Sequence, residues 1–180
     1  MKVIMVHGYL GFPQNCWFPW LQKELKKKKI SSMALTMPDP AFPDRYAWQE
    51  TLGKAIKDPA HTILVGHSLG TATILHYLQE YNGPPFAHVI LAAGFGRDFM
   101  FFAKVKHWFN EPLDFAEIKK KSKKWTSIHS TNDPLVPFKE GKWLSKKIGS
   151  DFIVENKGHL TKREGACELP SVLKAIESSL

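Results

Sequence analysis

Short apolar runs rich in β-branched residues alternate along this chain with longer segments in which apolar residues recur at helical spacing. The runs that predict strands span residues 3–6, 33–37, 62–65, 89–93, 125–128 and 152–154. Helical spacing marks residues 15–28, the segment around Trp48, the segment after Ser68 and a C-terminal stripe that begins at Leu169. Strands that alternate with such helices are joined by right-handed crossovers in a parallel sheet. The alternation therefore predicts an α/β fold, a three-layer α/β/α sandwich with a six-stranded parallel sheet.

Length and composition restrict the class of protein further. The chain has 180 residues, of which 43% are apolar, so we expect a single domain that spans residues 1–180. The sequence contains no run of about 18 apolar residues and enters a strand almost at once, so we expect neither a membrane span nor a secretory signal. Two cysteines, Cys16 and Cys167, are too few for a disulfide scaffold. We therefore expect a cytoplasmic protein with reduced thiols, and one disulfide between them is left open.

Basic residues outnumber acidic ones, and the formal net charge is +8. Much of the excess lies in short lysine runs at residues 26–29, 119–121 and 123–124. Such charge can attract nucleic acid or anionic substrates, but no nucleic-acid-binding motif accompanies it here. We interpret the runs as solvated helix ends and loops, where lysines also complement the helix dipole.

The stretch LVGHSLGTA, residues 64–72, places a serine between two glycines at the point where a strand would give way to a helix. A serine on such a turn has a strained backbone, and its hydroxyl points outward beside the N-terminus of the following helix. A side chain at Gly66 or Gly70 would collide with neighbouring elements, which explains the glycines. We therefore predict that Ser68 is a nucleophile. The alternative is an ordinary glycine-rich turn in which the serine only caps the helix.

A serine hydroxyl becomes nucleophilic when a base takes its proton and an acid orients that base. Asp133 follows the fifth predicted strand and His159 follows the sixth, and the chain order Ser, Asp, His is that of α/β-hydrolases. We predict that Asp133 is the catalytic acid and His159 the base. His129 is the closest rival for the base, and Asp98 is the runner-up for the acid. Asp133 precedes a proline, so it could instead only initiate a turn.

The segment VHGYLG, residues 6–11, follows the first strand and contains a glycine turn. Such a turn can direct a backbone amide towards the serine, so we predict an oxyanion hole made by the N–H groups of Tyr9 and Leu69. The alternative is a tight loop needed only for chain reversal. His7 and His67 lie beside this predicted site, and we expect them to pack or to hydrogen-bond locally.

Six segments, in order and over nearly the whole chain, match the pattern of a known group of proteins. They are VHGYLGFPQNCWFPWLQKEL, MPDPAFPDRYAWQETL, LVGHSLGTATILHYL, VILAAGF, NDPLVPF and KGHL. The chain thereby resembles the retinoblastoma-binding protein 9-like family of serine hydrolases. The resemblance implies a minimal α/β-hydrolase sheet, for which we expect the strand order 2-1-3-4-5-6, and a triad at Ser68, His159 and Asp133. The Leu-x-Cys-x-Glu motif that gives the family its name has no counterpart here, so a retinoblastoma-type partner is not implied.

These observations together predict a serine hydrolase, more narrowly a carboxylesterase that cleaves small or medium acyl esters through an acyl-enzyme. We expect a small-molecule acyl substrate, no nucleic-acid partner, no cofactor and no metal, because no ligand cluster with zinc spacing occurs in the sequence. The alternative is a non-catalytic protein-interaction module on a hydrolase scaffold.

A long connection, residues 95–123, separates the fourth and fifth predicted strands and contains the aromatic-rich stretch DFMFFAKVKHWF. In related folds a lid occupies this position, so the stretch could cover an acyl pocket. It could equally form an amphipathic helix buried against the body of the protein, and the pattern slightly favours this second interpretation.

Overall fold

Six parallel strands form the centre of the protein in a computed structural model, which describes residues 1–99 and 103–180. The strands are β1 (Lys2–Val6), β2 (Ser31–Ala34), β3 (Thr62–His67), β4 (His88–Ala92), β5 (Trp125–Ser130) and β6 (Asp151–Glu155). Their order across the sheet is β2-β1-β3-β4-β5-β6, and every neighbouring pair is parallel. The predicted fold class and strand order are therefore confirmed.

Helices cover both faces of the sheet. They are α1 (Phe18–Lys27), α2 (Arg45–Ala55), α3 (Leu69–Glu80), α4 (Phe115–Ile118), α5 (Phe138–Ile148) and α6 (Pro170–Glu177). Because successive strand residues point to opposite faces, Val3 and Met5 pack with α1 and α6, whereas Ile4 and Val6 pack with the layer that contains α2 and α3. Two apolar cores result, one on each side of the sheet.

The second strand ends earlier than the apolar pattern predicted. Leu35 and Met37 are buried as in a strand, but β2 stops at Ala34, which pairs with Met5 one residue before β1 ends. The Leu35 N–H still donates to the Met5 carbonyl at 2.9 Å, but the Met37 N–H donates to the Nε2 atom of the His7 ring instead of to a strand. Burial without a strand partner explains why the sequence pattern overestimated this strand.

Helix α5 was not predicted. Its sequence, FKEGKWLSKKI, has a sparse apolar stripe in which Leu144 and Ile148 are buried. Lysines and a glycine interrupt the stripe, so the helical periodicity is weak in the sequence alone. The helix supplies the crossover that a parallel pair such as β5 and β6 requires.

The connection between β4 and β5 packs against the body of the protein over most of its described length. It contains a 3₁₀ helix, Ala103–Phe109, and then α4. Trp108 is fully buried, lies edge-on to Trp48 with ring centroids 5.8 Å apart, and donates its indole N–H to the Pro43 carbonyl. Residues 100–102, the centre of the aromatic-rich stretch, lie outside the described residues.

Two further sequence expectations concern the surface and the cysteines. The lysines of residues 26–29 are exposed at and just beyond the last turn of α1, as interpreted above. Cys16 and Cys167 both lie within the described residues, and both are free. In the described part of the chain, no helix has the length and apolar character needed to cross a bilayer.

Five buried histidines have pKa values below the ordinary value of 6.5, namely His7, His67, His76, His88 and His129. Desolvation is the largest cause in each, and the pKa falls to about 3 for His67 and to about 4 for His76, His88 and His129. The unfolded chain therefore binds more protons than the folded one below pH 6.5. The contribution of these neutral histidines to the free energy of unfolding is fully present above pH 6.5 and is lost as the pH falls towards their pKa values in the folded protein.

We therefore expect the free energy of unfolding, measured by urea denaturation, to fall steadily between about pH 6.5 and about pH 5. His88 is the best probe, because it lies far from the carboxyl ends of the strands and bonds Thr126 and Ser179 through its two ring nitrogens. His88→Gln should reduce the slope by up to about 1.4 kcal/mol per pH unit. The exposed Asn82, which does not titrate, is the control, and Asn82→Gln should leave the slope unchanged. A wild-type stability that is flat over this range would contradict the explanation.

Candidate active site

Ser68 lies on a sharp turn between β3 and α3. Its backbone has φ 53° and ψ −119°, and it is the residue that precedes the first turn of α3. The hydroxyl makes no capping bond to the helix, which argues against the alternative of a simple capping serine. The left-handed φ at a residue other than glycine marks local strain of the kind found at functional sites.

The glycines on either side of Ser68 permit the close approach of three backbone segments. A Cβ at Gly66 would lie 2.8 Å from the Cα and N atoms of Thr71, and a Cβ at Gly70 would overlap the carbonyl oxygen of Val6. Helix α3 can thus press its N-terminus against β1 and β3. These contacts are the collisions that the sequence predicted for a side chain at either glycine.

Three predicted residues are joined by hydrogen bonds at the carboxyl ends of β3, β5 and β6. The Nε2 atom of His159 is 2.8 Å from the Ser68 Oγ, and its Nδ1 atom is 2.9 Å from one carboxylate oxygen of Asp133 and 3.1 Å from the other. All three residues are shielded, with the Asp133 side chain only 2% exposed. Because the carboxylate can accept only from an Nδ1–H, the Nε2 atom is left to accept from the serine hydroxyl.

Asp133 also organises its own turn. One of its oxygens accepts the N–H groups of Leu135 and Val136 at 2.8 and 2.9 Å. The turn-forming role that the following proline suggested and the contact with His159 therefore occur together. These amides fix the orientation of the carboxylate that faces the imidazole.

The two rival residues lie elsewhere. His129 lies within β5, where its ring stacks on Phe152 at a centroid distance of 5.7 Å, and burial lowers its pKa to about 4. Asp98 is exposed and lines a separate cavity beside Phe109. The residue that bonds His159 Nδ1 is Asp133, and the ring that bonds Ser68 is His159.

The loop after β1 passes directly against Ser68. A Cβ at Gly8 would lie 2.9 Å from the Ser68 Cβ and 3.3 Å from its hydroxyl oxygen. Tyr9 is the next residue along this loop. On the other side, Leu69 is the first residue of α3, where the backbone N–H has no intrahelical acceptor.

His7 and His67 behave differently from each other. As expected, His7 bonds locally, since its Nδ1–H donates to the Gly8 carbonyl at 2.9 Å, while its Nε2 accepts the Met37 N–H at 3.2 Å. His67 packs edge-on to Trp17 at a centroid distance of 6.3 Å, and its Nε2–H also donates at 2.8 Å to the backbone carbonyl of His159. Nothing in the local sequence signals a partner so distant along the chain.

Two side chains that the sequence did not predict as part of the site bond the loop that carries His159. The Asn132 side-chain oxygen accepts the Gly158 N–H at 2.9 Å, and the Glu164 carboxylate accepts the His159 N–H at 2.8 Å. Glu164 also accepts the Thr161 hydroxyl at 2.7 Å. The available signal was only their position, one residue before Asp133 and five residues after His159.

A cavity of about 320 Å³ opens beside Ser68 and His159. Its wall is mainly apolar and includes Tyr9, Leu10, Cys16, Phe18 and Leu135. Among the described residues, none from the 95–123 connection lines it. Within the same described ranges, no group of three or more histidine, cysteine or carboxylate side chains is arranged to hold a metal ion.

The strand order and the position of the serine turn define an α/β-hydrolase fold. A family model described as "Serine hydrolase" matches residues 3–178, and the chain therefore belongs to that family. YdeN of Bacillus subtilis strain 168 is 31% identical over 98% of this chain and 95% of its own length. Its crystal structure matches with a TM-score of 0.92 over 99% of this chain and 97% of that one.

Two more distant proteins agree with this assignment. "Serine hydrolase RBBP9" of Rattus norvegicus is 23% identical over 97% of this chain and 95% of its own, which is consistent with the resemblance found in the sequence. Est1E of Butyrivibrio proteoclasticus, solved with ferulic acid bound, has a TM-score of 0.72 at 13% identity over 98% of this chain and 89% of its own. That similarity concerns the fold alone. Family membership makes the protein a hydrolase, which disfavours the binding-module alternative.

The close approach around Ser68 predicts a large difference between two glycine substitutions. Gly70→Ala would force α3 away from Val6 and should lower the free energy of unfolding by about 3 kcal/mol or more. Gly149, which ends α5 at φ 72°, has open space around it, so Gly149→Ala should cost only about 1 kcal/mol through backbone strain. Urea denaturation of both variants measures the difference. Equal losses would mean that packing at the turn is not the constraint.

Proposed function

We propose that this serine hydrolase is a carboxylesterase in which Ser68 is the nucleophile, His159 the general base and Asp133 the acid that orients it. The observation that supports the proposal most directly is the continuous hydrogen-bonded chain from the Ser68 hydroxyl through both nitrogens of His159 to the Asp133 carboxylate. Its members come from three different strand ends, and an arrangement of this kind activates serine in unrelated hydrolases. The shielding of the Asp133 side chain strengthens its interaction with an imidazolium.

In the first half of the reaction, the Ser68 oxygen attacks the ester carbonyl carbon while its proton moves to His159 Nε2. The electron pair of the carbonyl π bond moves to the carbonyl oxygen and gives a tetrahedral oxyanion. Asp133 stabilises the imidazolium that forms and keeps its Nδ1–H in place. When the tetrahedral species collapses, the bond to the alcohol breaks, and His159 returns the proton to the departing oxygen.

We assign the oxyanion hole to the N–H groups of Tyr9 and Leu69. Two features support this assignment: the contact of the Gly8 backbone with Ser68, and the position of Leu69 at the N-terminus of α3. The helix end also contributes a positive electrostatic potential at the place where negative charge would develop. Two backbone donors aimed at the oxyanion would stabilise the charge that develops on the carbonyl oxygen.

The second half of the reaction repeats these steps with water. His159 takes a proton from a water molecule, whose oxygen attacks the acyl carbon bound to Ser68. Collapse of the second tetrahedral species breaks the bond to the Ser68 oxygen, and the proton on His159 returns to that oxygen. The products are a carboxylic acid and the free serine.

The dimensions of the cavity favour small or medium acyl groups. A volume of about 320 Å³ is at the lower end of the range for ligand pockets, and the mostly apolar wall suits a hydrocarbon chain. The lining residues come mainly from the loop after β1 and the start of α1. Longer chains would have to extend past the exposed Leu10 into solvent.

A fluorophosphonate probe tests the assignment of the nucleophile and its partners. Wild-type protein should be labelled covalently, and Ser68→Ala should lose the label completely. His159→Gln and Asp133→Asn should lower kcat for a short p-nitrophenyl ester by about a thousandfold or more, because the first removes the base and the second removes the charge that orients it. The asparagine oxygen can still accept the Leu135 and Val136 amides, so the turn should survive.

His129→Gln is the matched control for the base. His129 is a buried histidine of β5, but it bonds neither Ser68 nor Asp133 in the described structure. It should remain labelled and active once circular dichroism has shown that it is folded. Activity lost in His129→Gln and kept in His159→Gln would mean that the base is misassigned. Labelling that persists in Ser68→Ala would exclude the proposed nucleophile.

A series of p-nitrophenyl esters tests the size of the acyl group. We expect kcat/KM to rise from acetyl to a maximum at medium chains and then to fall, since each methylene that finds space in the apolar cavity contributes about 0.8 kcal/mol at most. Leu135→Trp should move the maximum to shorter chains, because Leu135 lines the cavity. A preference that increases without limit towards long chains would contradict the size limit.

A further inference from the structure

The loop that carries His159 has an unusual backbone that does not by itself fix the imidazole. Gly158 has φ 51° and Leu160 has φ 54°, so the residues on both sides of His159 are left-handed. Leu160 is anchored by its side chain, which is fully buried against the core next to α1 and α6. A strained conformation of this kind persists only when surrounding groups hold it.

Glu164 holds the N–H side of the His159 peptide. Its carboxylate accepts the His159 N–H at 2.8 Å and the Thr161 hydroxyl at 2.7 Å. Its side chain also lies across Gly158, where a Cβ would come within 2.7 Å of the Glu164 carboxyl carbon. Glu164 therefore contacts this loop before, at and after His159. It is absent from the wall of the cavity, so a substrate there would not touch it.

His67 holds the opposite side of the same residue. Its Nε2–H donates to the His159 carbonyl at 2.8 Å, and the two ring centroids are 5.1 Å apart. His67 is the last residue of β3 and is joined directly to Ser68. The bond therefore links the turn that carries the nucleophile to the loop that carries the base, across 92 positions of the sequence.

The protonation state of His67 suits this role. Burial, and to a lesser extent the positive charge that His159 can carry, lower the pKa of His67 to about 3. A neutral ring donates one hydrogen bond without placing a second cation beside the imidazolium that the proposed reaction forms. An ordinary exposed histidine would become charged in mildly acidic solution and oppose that imidazolium.

We propose that His67 and Glu164 are positioning residues. They hydrogen-bond the backbone carbonyl and N–H of His159, respectively, and so set the distance from its Nε2 to the Ser68 hydroxyl. The proposal rests on the proposed function, in which this distance governs proton transfer. Neither residue is given a part in the bond-making steps. Their contribution is the geometry of the base, and a displacement of about 1 Å at a reacting group can cost about a hundredfold in rate.

Glu164 gives the sharper kinetic test, because it does not line the cavity. Glu164→Ala should lower kcat by about 30-fold to 100-fold with KM within about twofold of wild type, since substrate contacts are unchanged. Glu164→Gln keeps an oxygen that can accept the His159 N–H, so it should recover kcat to within about tenfold of wild type. Glu168→Gln is the matched control: this exposed glutamate lies nearby along the chain and should show wild-type kcat.

The hydrogen bond from His67 to the His159 carbonyl is tested in the same way with a different control. His67→Phe keeps an aromatic ring but loses the donor, and it should lower kcat by about tenfold or more. His88→Gln removes a buried histidine remote from the site and should leave kcat unchanged. If Glu164→Ala and His67→Phe are folded and have wild-type kcat, the proposal is overturned. A loss confined to KM would overturn it as well, because that would indicate substrate binding.

A structural readout separates this proposal from the proposed function. In a crystal structure of Glu164→Ala, His159 Nε2 should lie beyond 3.5 Å from the Ser68 Oγ, a hydrogen bond that is 2.8 Å long in the wild-type geometry. An unchanged distance in that variant would overturn the positioning role, whatever the activity. If the distance changes as expected but wild-type protein neither hydrolyses esters nor reacts with the fluorophosphonate, the esterase proposal fails and the positioning role stands.

Discussion

The backbone of Ser68 is the constraint on which the rest of the site depends. Holding a residue other than glycine at φ 53° and ψ −119° costs on the order of 1–3 kcal/mol, so the surroundings must impose it. They do so from three strands: the Ser68 N–H bonds the carbonyl of Ala92 at the end of β4, Gly70 packs against the end of β1, and Gly66 lets α3 fold back over β3. The central strands of the sheet thus contact one residue, and these contacts hold Ser68 in its strained backbone conformation.

Neutral histidines are a recurring means of joining elements around this turn. An uncharged imidazole offers one donor and one acceptor at fixed positions, so a single buried ring can link two backbone segments. His7 uses both nitrogens to tie the loop after β1 to Met37, and His67 ties the serine turn to the loop of His159. The consequence is a site whose cohesion depends on these rings remaining uncharged, and burial ensures that they do near neutral pH.

Sequence reasoning predicted the sheet, its strand order and the meeting of Ser68, Asp133 and His159, because strand periodicity and the positions that follow strands carry strong signals. It failed where the signal depends on neighbours in space. Helix α5 has too few apolar residues for its period to stand out, and β2 stopped pairing opposite Met5, one residue before β1 ends, although its apolar run continues to Met37. Glu164 and the distant partner of His67 were missed for the same reason, since hydrogen bonds to a backbone group leave no residue pattern.

The site divides between segments that carry the chemistry and a segment that shapes the cavity. The residues of the proposed triad follow β3, β5 and β6, whereas more than half of the residues that line the cavity come from the single stretch between β1 and α1. Two residues of that stretch, Leu10 and Cys16, have φ 54° and give the loop its path. Because Leu10 is exposed and lines the cavity, whereas Gly8 is the residue of this loop that packs against Ser68, changes near Leu10 can alter the cavity without disturbing the hydrogen-bonded chain. In the proposed esterase, selectivity for the acyl group can therefore vary independently of the chemistry.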